Sequence, residues 1–158
     1  MAIQIHLKIP GIEGEATHKG HENEIEVRSW TWGIEHAAKP GGGGGGGAGK
    51  AVPHELVFTH GYDKASPLLA RSCAKGVHLA TATLSARKAG KGQQEFLTIT
   101  LKDVVVAGVS TSGDGDEIGE SVALAYGEID IVYKPQDPKG GLGPGEEFGW
   151  NVKTNKVA

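Results

Sequence analysis

The chain has 158 residues, and 16 Lys and Arg against 19 Asp and Glu leave it a formal net charge of −3. That length suits one domain, 1–158, built around one core, and that charge offers no attraction to a nucleic-acid backbone or an anionic membrane. No window reaches the ~20 apolar residues of a membrane-spanning helix, so neither nucleic acid nor membrane insertion is expected, and the single cysteine, Cys73, has no intrachain disulfide partner.

The chain opens on an alternation, Ile3, Ile5, Leu7 and Ile9 against Gln4, His6 and Lys8. This is the period of a half-buried strand, with His6 on the polar side, and it lacks the basic-then-apolar form of a secretory leader. The protein is therefore expected to fold in the cytoplasm and, if exported, to leave without a cleaved signal. A polar stretch over 13–23 precedes a second strand that starts with Ile25 and Val27 inward and continues with Trp30, Trp32 and Ile34 as its apolar set. The change of parity requires a kink or bulge near Ser29. The oligoglycine segment within 39–53 has almost no side chains to bury and reads as a protruding loop.

A third strand is expected over 54–60, followed by one helix at about 67–75, with Ser66 as N-cap, Pro67 at the first helical position and Gly76 closing it. Leu69 with Cys73 and Ala70 with Ala74 form its apolar side. At about nine residues it must pack against a sheet to persist. Residues 77–87, 95–102, 104–110 and 121–134 read as further strands joined by turns at 89–92 and 112–116. The last changes parity at Gly127, where a glycine suits a bend or bulge. Phe148 and Trp150, after the Gly/Pro-rich segment 135–147, imply a docked terminus. The sum is a mainly β chain: an antiparallel two-sheet β-barrel with one short flanking α-helix and long loops.

Patterns that carry chemistry fall short here. Gly44 to Lys50 matches the glycine and lysine spacing of a phosphate-cradling loop, but Ala51 stands where a magnesium-holding Ser or Thr is needed, and a strand follows instead of a helix. Asp114 and Asp116 resemble the start of a calcium loop, yet Ile118 and Ala125 occupy positions that need oxygen ligands. His18 and His21 read as a surface pair, Cys73 as a small buried hydrophobe, and no serine lies in a nucleophile elbow. No catalytic residue, metal site or cofactor is assigned, and the chain is read as not an enzyme.

The segments SWTWGIEH (29–36), GGGGGGGAGKA (41–51), FTHGYDKASPLLARSCAKG (58–76), YGEIDIVYKPQD (126–137) and FGWNVKTNK (148–156) resemble, in order, stretches of the Hcp (haemolysin-coregulated protein) family of type VI secretion. The resemblance implies a two-sheet barrel assembled as a homohexameric ring. Such rings stack into the inner tube of a contractile apparatus and are expelled with effector cargo, with sheath, tip and effector proteins as partners. It also implies that the loop 39–53, with Gly41, Gly42, Gly43, Gly44, Gly45, Gly46, Gly47, Gly49 and Lys50, makes contacts between stacked rings. If Trp30 and Trp32 pack inward, alternation turns Ser29 and Thr31 the other way, and a small hydroxyl-bearing face suits a water-filled lumen. The competing readings are a monomeric carbohydrate- or peptide-binding β-barrel and a hydrolase or nucleotide-dependent enzyme using the glycine loop.

Overall fold

The computed structural model describes residues 2–37, 50–90, 92 and 94–158. In chain order these form β1 (Ile3–Lys8), β2 (Ile25–Thr31), β3 (Ile34–His36), β4 (Ala51–Pro53), β5 (Leu56–Gly61), α1 (Ala65–Lys75), β6 (His78–Lys88), β7 (Glu95–Gly113), β8 (Ile118–Tyr133), β9 (Glu146–Asn151) and β10 (Lys156–Val157). Six strands run β8-β5-β2-β1-β6-β7, and β7 pairs back onto β8 to close a barrel. Closure leaves those six strands no free edge. The strands β9 and β10 continue the sheet outward from β8, while β3 and β4 form a separate two-stranded ribbon.

The parity changes in the sequence mark where the barrel wall bends. Between Val27 and Ser29 the pairing of β2 with β5 shifts by one, so that Arg28 is an extra residue. This is the bulge expected near Ser29. Beyond it Trp30 and Trp32 pack against the core, whereas Ile34 lies past the end of β2 on the ribbon and is 42% exposed. Ile34 therefore does not join the inward set, because the chain leaves the barrel at Trp32 and Gly33.

Segments 95–102 and 104–110 belong to one strand, β7, with Asp103 at the joint in a left-handed backbone conformation (φ 54). Inward residues change there from Ile99 and Leu101 to Val104 and Val106. On β8 they change from Val122 and Leu124 to Ile129 across Gly127. Lys102 faces Glu128 and Val104 faces Tyr126, so the register passes through unbroken. Both strands kink together at one place, which is how parity switches without an unpaired residue. At the same point the free side of β8 passes from β5 to β9. A Cβ on Gly127 would stand 2.8 Å from Lys153 Cε and 3.1 Å from Asp103 Oδ2, so those two side chains pack closely over the glycine and would have to shift to admit one.

The interior holds Leu7, Ile25, Leu56, Phe58, Leu84, Leu101 and Leu124, all buried, and α1 adds Ala65 and Leu69 to the same core. The helix starts earlier than its sequence suggests. Lys64, just before the helix, makes no side-chain cap bond and already has helical angles (φ −63, ψ −18). One residue earlier Asp63 Oδ1 accepts the Ala65 amide hydrogen and Ser66 Oγ accepts that of Asp63, so Asp63 caps the first turn and Ser66 lies inside it. Its covered face is Ala65, Ser66, Leu69 and Ser72, leaving Ala70 and Ala74 exposed. Cys73 is half-buried against the same core beside Leu69. Gly76 ends the helix with φ 63, as expected. Trp150, on β9, is buried against the core, so the terminus is docked.

Candidate functional site

Across β2, β5, β8 and β7 the barrel presents an outward wall of small residues. One row runs Ser29, Thr59, Ser121 and Ser110; the next runs Thr31, Val57, Ala123 and Gly108. Directly paired residues share a face of the sheet, and these two rows carry no charge. Ser29 and Thr31 are both exposed, as alternation with the half-buried Trp30 requires. The hydroxyls of Ser29 and Thr59 are 2.6 Å apart, which satisfies part of the row within the wall itself. A shallow depression lined by Thr31, Val57, Trp32 and His54 lies at its edge beside the ribbon, but the wall itself offers few groups able to grip a particular ligand.

Beside this wall stands the ribbon of β3 and β4, in which Ile34, Glu35 and His36 pair with Pro53, Val52 and Ala51. Its base is fixed by Tyr126, whose hydroxyl accepts from Trp32 Nε1 at 2.6 Å and donates to the His54 carbonyl at 2.8 Å. Burial pushes the Tyr126 phenol up, partly offset by the Trp32 bond, so it stays a neutral donor. Ile34 and Val52 remain exposed on the ribbon at 42% and 52%. Of the loop residues singled out from the sequence, Lys50 is exposed and leads into β4, while Gly41, Gly42, Gly43, Gly44, Gly45, Gly46, Gly47 and Gly49 lie outside the described residues.

Two polar clusters were not legible as such. His60 points into the barrel end, its Nε2 2.9 Å from Glu120 Oε1 and its Nδ1 3.7 Å from Asp63 Oδ2, an ion-pair separation longer than a hydrogen bond. Burial opposes charging His60, but the Asp63 and Glu120 carboxylates outweigh it and raise its pKa. The His60 and Glu120 side chains are 0% and 1% exposed, so no substrate reaches them. The second cluster overturns the reading of His18 and His21 as a surface pair. His21 is buried, its ring stacked on His6 with centroids 4.3 Å apart, and His18 Nδ1 meets His6 Nε2 at 2.8 Å. Residues 13–24 fold over the outer face of β1, which also buries His6 on the strand's polar side. The only advance signal was three histidines within sixteen residues, with no pattern to place them together.

The other candidates are structural. Asp114 Oδ1 accepts the amide hydrogens of Asp116 and Glu117 at the β7–β8 tip, and these bonds hold its carboxyl below the usual range. Cys73 is half-buried against the core. Among the described residues no three His, Cys, Asp or Glu side chains are placed to hold a metal ion, and no helix is long and apolar enough to cross a membrane.

Comparison with known proteins gives a consistent family. Residues 6–133 match the family model described as type VI secretion system effector, Hcp. The chain is 41% identical to Protein hcp1 of Pseudomonas aeruginosa over 162 aligned positions, covering all of both chains. Among solved structures it is similar to Hcp1 from Salmonella typhimurium, with 36% identity, a TM-score of 0.80 and full coverage of both chains. A structure described as a type six secretion system protein superposes with a TM-score of 0.91 at 28% identity, over 99% of this chain and 100% of that one.

Proposed function

Since the chain belongs to the Hcp family of type VI secretion, we propose that it is a non-enzymatic structural subunit whose copies close into a hexameric ring, stack into the inner tube and are expelled with effector cargo. The observation that carries this reading is the uncharged wall of small residues across four strands of a closed barrel. A lumen that passes varied cargo needs a surface that neither grips nor blocks, and rows of Ser, Thr, Ala and Gly provide one. Ser29 and Thr31 face that lumen. The ribbon, with exposed Ile34 and Val52, carries the loop of Gly41 to Gly49 and Lys50 to the next ring. A ring needs two different patches meeting head to tail, and stacking needs a further pair on the ring faces. Sheath, tip and effector proteins are its remaining partners, and the protein is made in the cytoplasm and then secreted.

Sedimentation and electron microscopy of the purified protein test this directly. The expected outcome is a particle of six 16.4 kDa chains with annular images; a lone 16.4 kDa particle at every concentration favours a monomeric binding module instead. Thr31→Arg projects a long cation from the wall, so rings should form normally while effectors co-purify less. Unchanged effector recovery would remove Thr31 from the lumen. Deleting 41–49 should leave rings but reduce stacked tubes, and tubes as abundant as the parent's would detach that loop from stacking.

A further inference from the structure

Residues 13–24 are held on the barrel by an assembly of ionisable groups that the tube function does not require. The segment folds back on itself, the Ala16 amide donating to the Glu24 carbonyl and the Asn23 amide to the Ala16 carbonyl. At one end Glu15 Oε2 accepts the Lys64 amide hydrogen at 2.9 Å and Glu13 pairs with Lys64 at 3.6 Å, both exposed, and Ala16 is buried. The other fastening to the barrel is the histidine cluster. His6, on β1, is fully buried; His21 stacks on one face of its ring with planes 2° apart, and the His18 ring meets it edge-on at 5.0 Å. His21 in turn places Nδ1 2.8 Å from Glu24 Oε1 and Nε2 against Glu95 of β7. Arg87 of β6 reaches Gln4 Oε1 at 3.0 Å and the Lys19 carbonyl at 2.9 Å. We propose that this cluster is an acid-sensitive latch: it holds residues 13–24 over β1 while His6 is neutral, and a proton added to His6 releases the segment from a barrel that stays closed.

The geometry explains why His6 is the trigger. Its Nε2 is engaged by His18, and its Nδ1 is buried with no partner, so a proton there would be an unpaired buried charge. The surrounding charges add to that penalty. Arg87 is a fixed cation, and His21, lying between two carboxylates, donates to both when its ring carries two protons. The acids that face the cluster are Glu24 and Glu95; Glu26 is opposite His6 on β2 but exposed, as is Glu22, while Ser85 on the β6 side is neutral and Lys8 and Lys19 are exposed. Burial, then His21, His18 and Arg87, lower the His6 pKa from 6.5 to about 4, with Glu95 only partly opposing them. Burial raises the Glu95 carboxyl, but the His21 bond and charge win and hold it below its usual range.

A neutral His6 in the closed state with an ordinary one in the open state makes opening more favourable as pH falls below 6.5 and through about 4. Hydrogen exchange of the full chain, with rates normalised to intrinsic exchange at each pH, reads this out. Between pH 7 and pH 4.5 peptides covering 13–24 should open roughly 50-fold more readily, while peptides from β6 and β7 keep their protection. His6→Gln should largely abolish the acid response. Should that variant fail to fold, His18→Asn serves: it removes the edge partner and should loosen 13–24 already at pH 7 without affecting β7. Equal protection at the two pH values, loss of core protection in step with 13–24, an undiminished acid response in His6→Gln, or an unloosened His18→Asn would each overturn the latch.

Discussion

At the scale of single residues, two buried histidines respond to pH in opposite directions because their neighbours differ. His6 is surrounded mainly by other bases, while His60 lies between Glu120 and Asp63. A histidine whose folded pKa is raised contributes stability that is fully present below its ordinary value of 6.5 and fades as pH rises through the higher folded value. Replacing Glu120 with Gln keeps an acceptor near His60 Nε2 but removes the charge. We expect a loss of about 2 kcal/mol at pH 6, from a buried charge-assisted hydrogen bond, and a much smaller loss at pH 9. Urea unfolding at the two pH values measures both, and equal losses would show that the charge on Glu120 does not matter. Neither cluster could be read from the chain: His60 and Glu120 are brought together by the β5–β8 register, and Glu95 meets His21 only because β7 passes beside residues 13–24.

At the scale of elements, local signals were strong where the chain alone decides the geometry. Alternation located β1 and β2, the Trp-x-Trp parity change located the Arg28 bulge, and Gly127 marked the shared kink. The helix end at Gly76 needed only its backbone angle. Its start was misplaced because Asp63 and Ser66 are both good caps, and which of them stands at the boundary is settled by the packing of Ala65 and Leu69 into the barrel. The apolar side was half legible: Leu69 is buried and Cys73 packs against the core, whereas Ser66 and Ser72 are covered in place of Ala70 and Ala74, which face out. Two substitutions separate these contributions. Gly76→Ala should cost about 1 kcal/mol, because φ 63 is strained for any side chain and the position is otherwise open. Asp63→Ala should cost more than a simple cap loss of ~1 kcal/mol, since it also takes a carboxylate from His60. If thermal unfolding ranked the two equally, the Asp63 and His60 interaction would contribute nothing.

At the scale of the whole molecule, the wall, the ribbon and the docked terminus all depend on β8. This strand pairs with β7 along its whole length, with β5 over its first half and with β9 over its second. It is the last barrel strand made, and the first, β1, already needs β6 beside it, with Gln4 opposite Arg87. Most pairings therefore join distant parts of the chain, a topology that places folding in roughly the millisecond-to-second range. Until β8 docks, β5 and β7 are both open edges, and the core lacks Val122, Leu124 and Ile129. The small-residue wall lacks Ser121 and Ala123 as well, so the surface proposed for the lumen and the stability of the subunit arise in the same step. A chain ending at Ser112 should consequently show no cooperative urea transition by fluorescence of Trp30 and Trp32, although it retains five of the six barrel strands. The full chain should show one transition, reported alike by those residues and by Trp150. A cooperative transition in the shortened chain would mean that the sheet from β5 to β7 is stable while open, and that β8 completes the wall without being needed to form it.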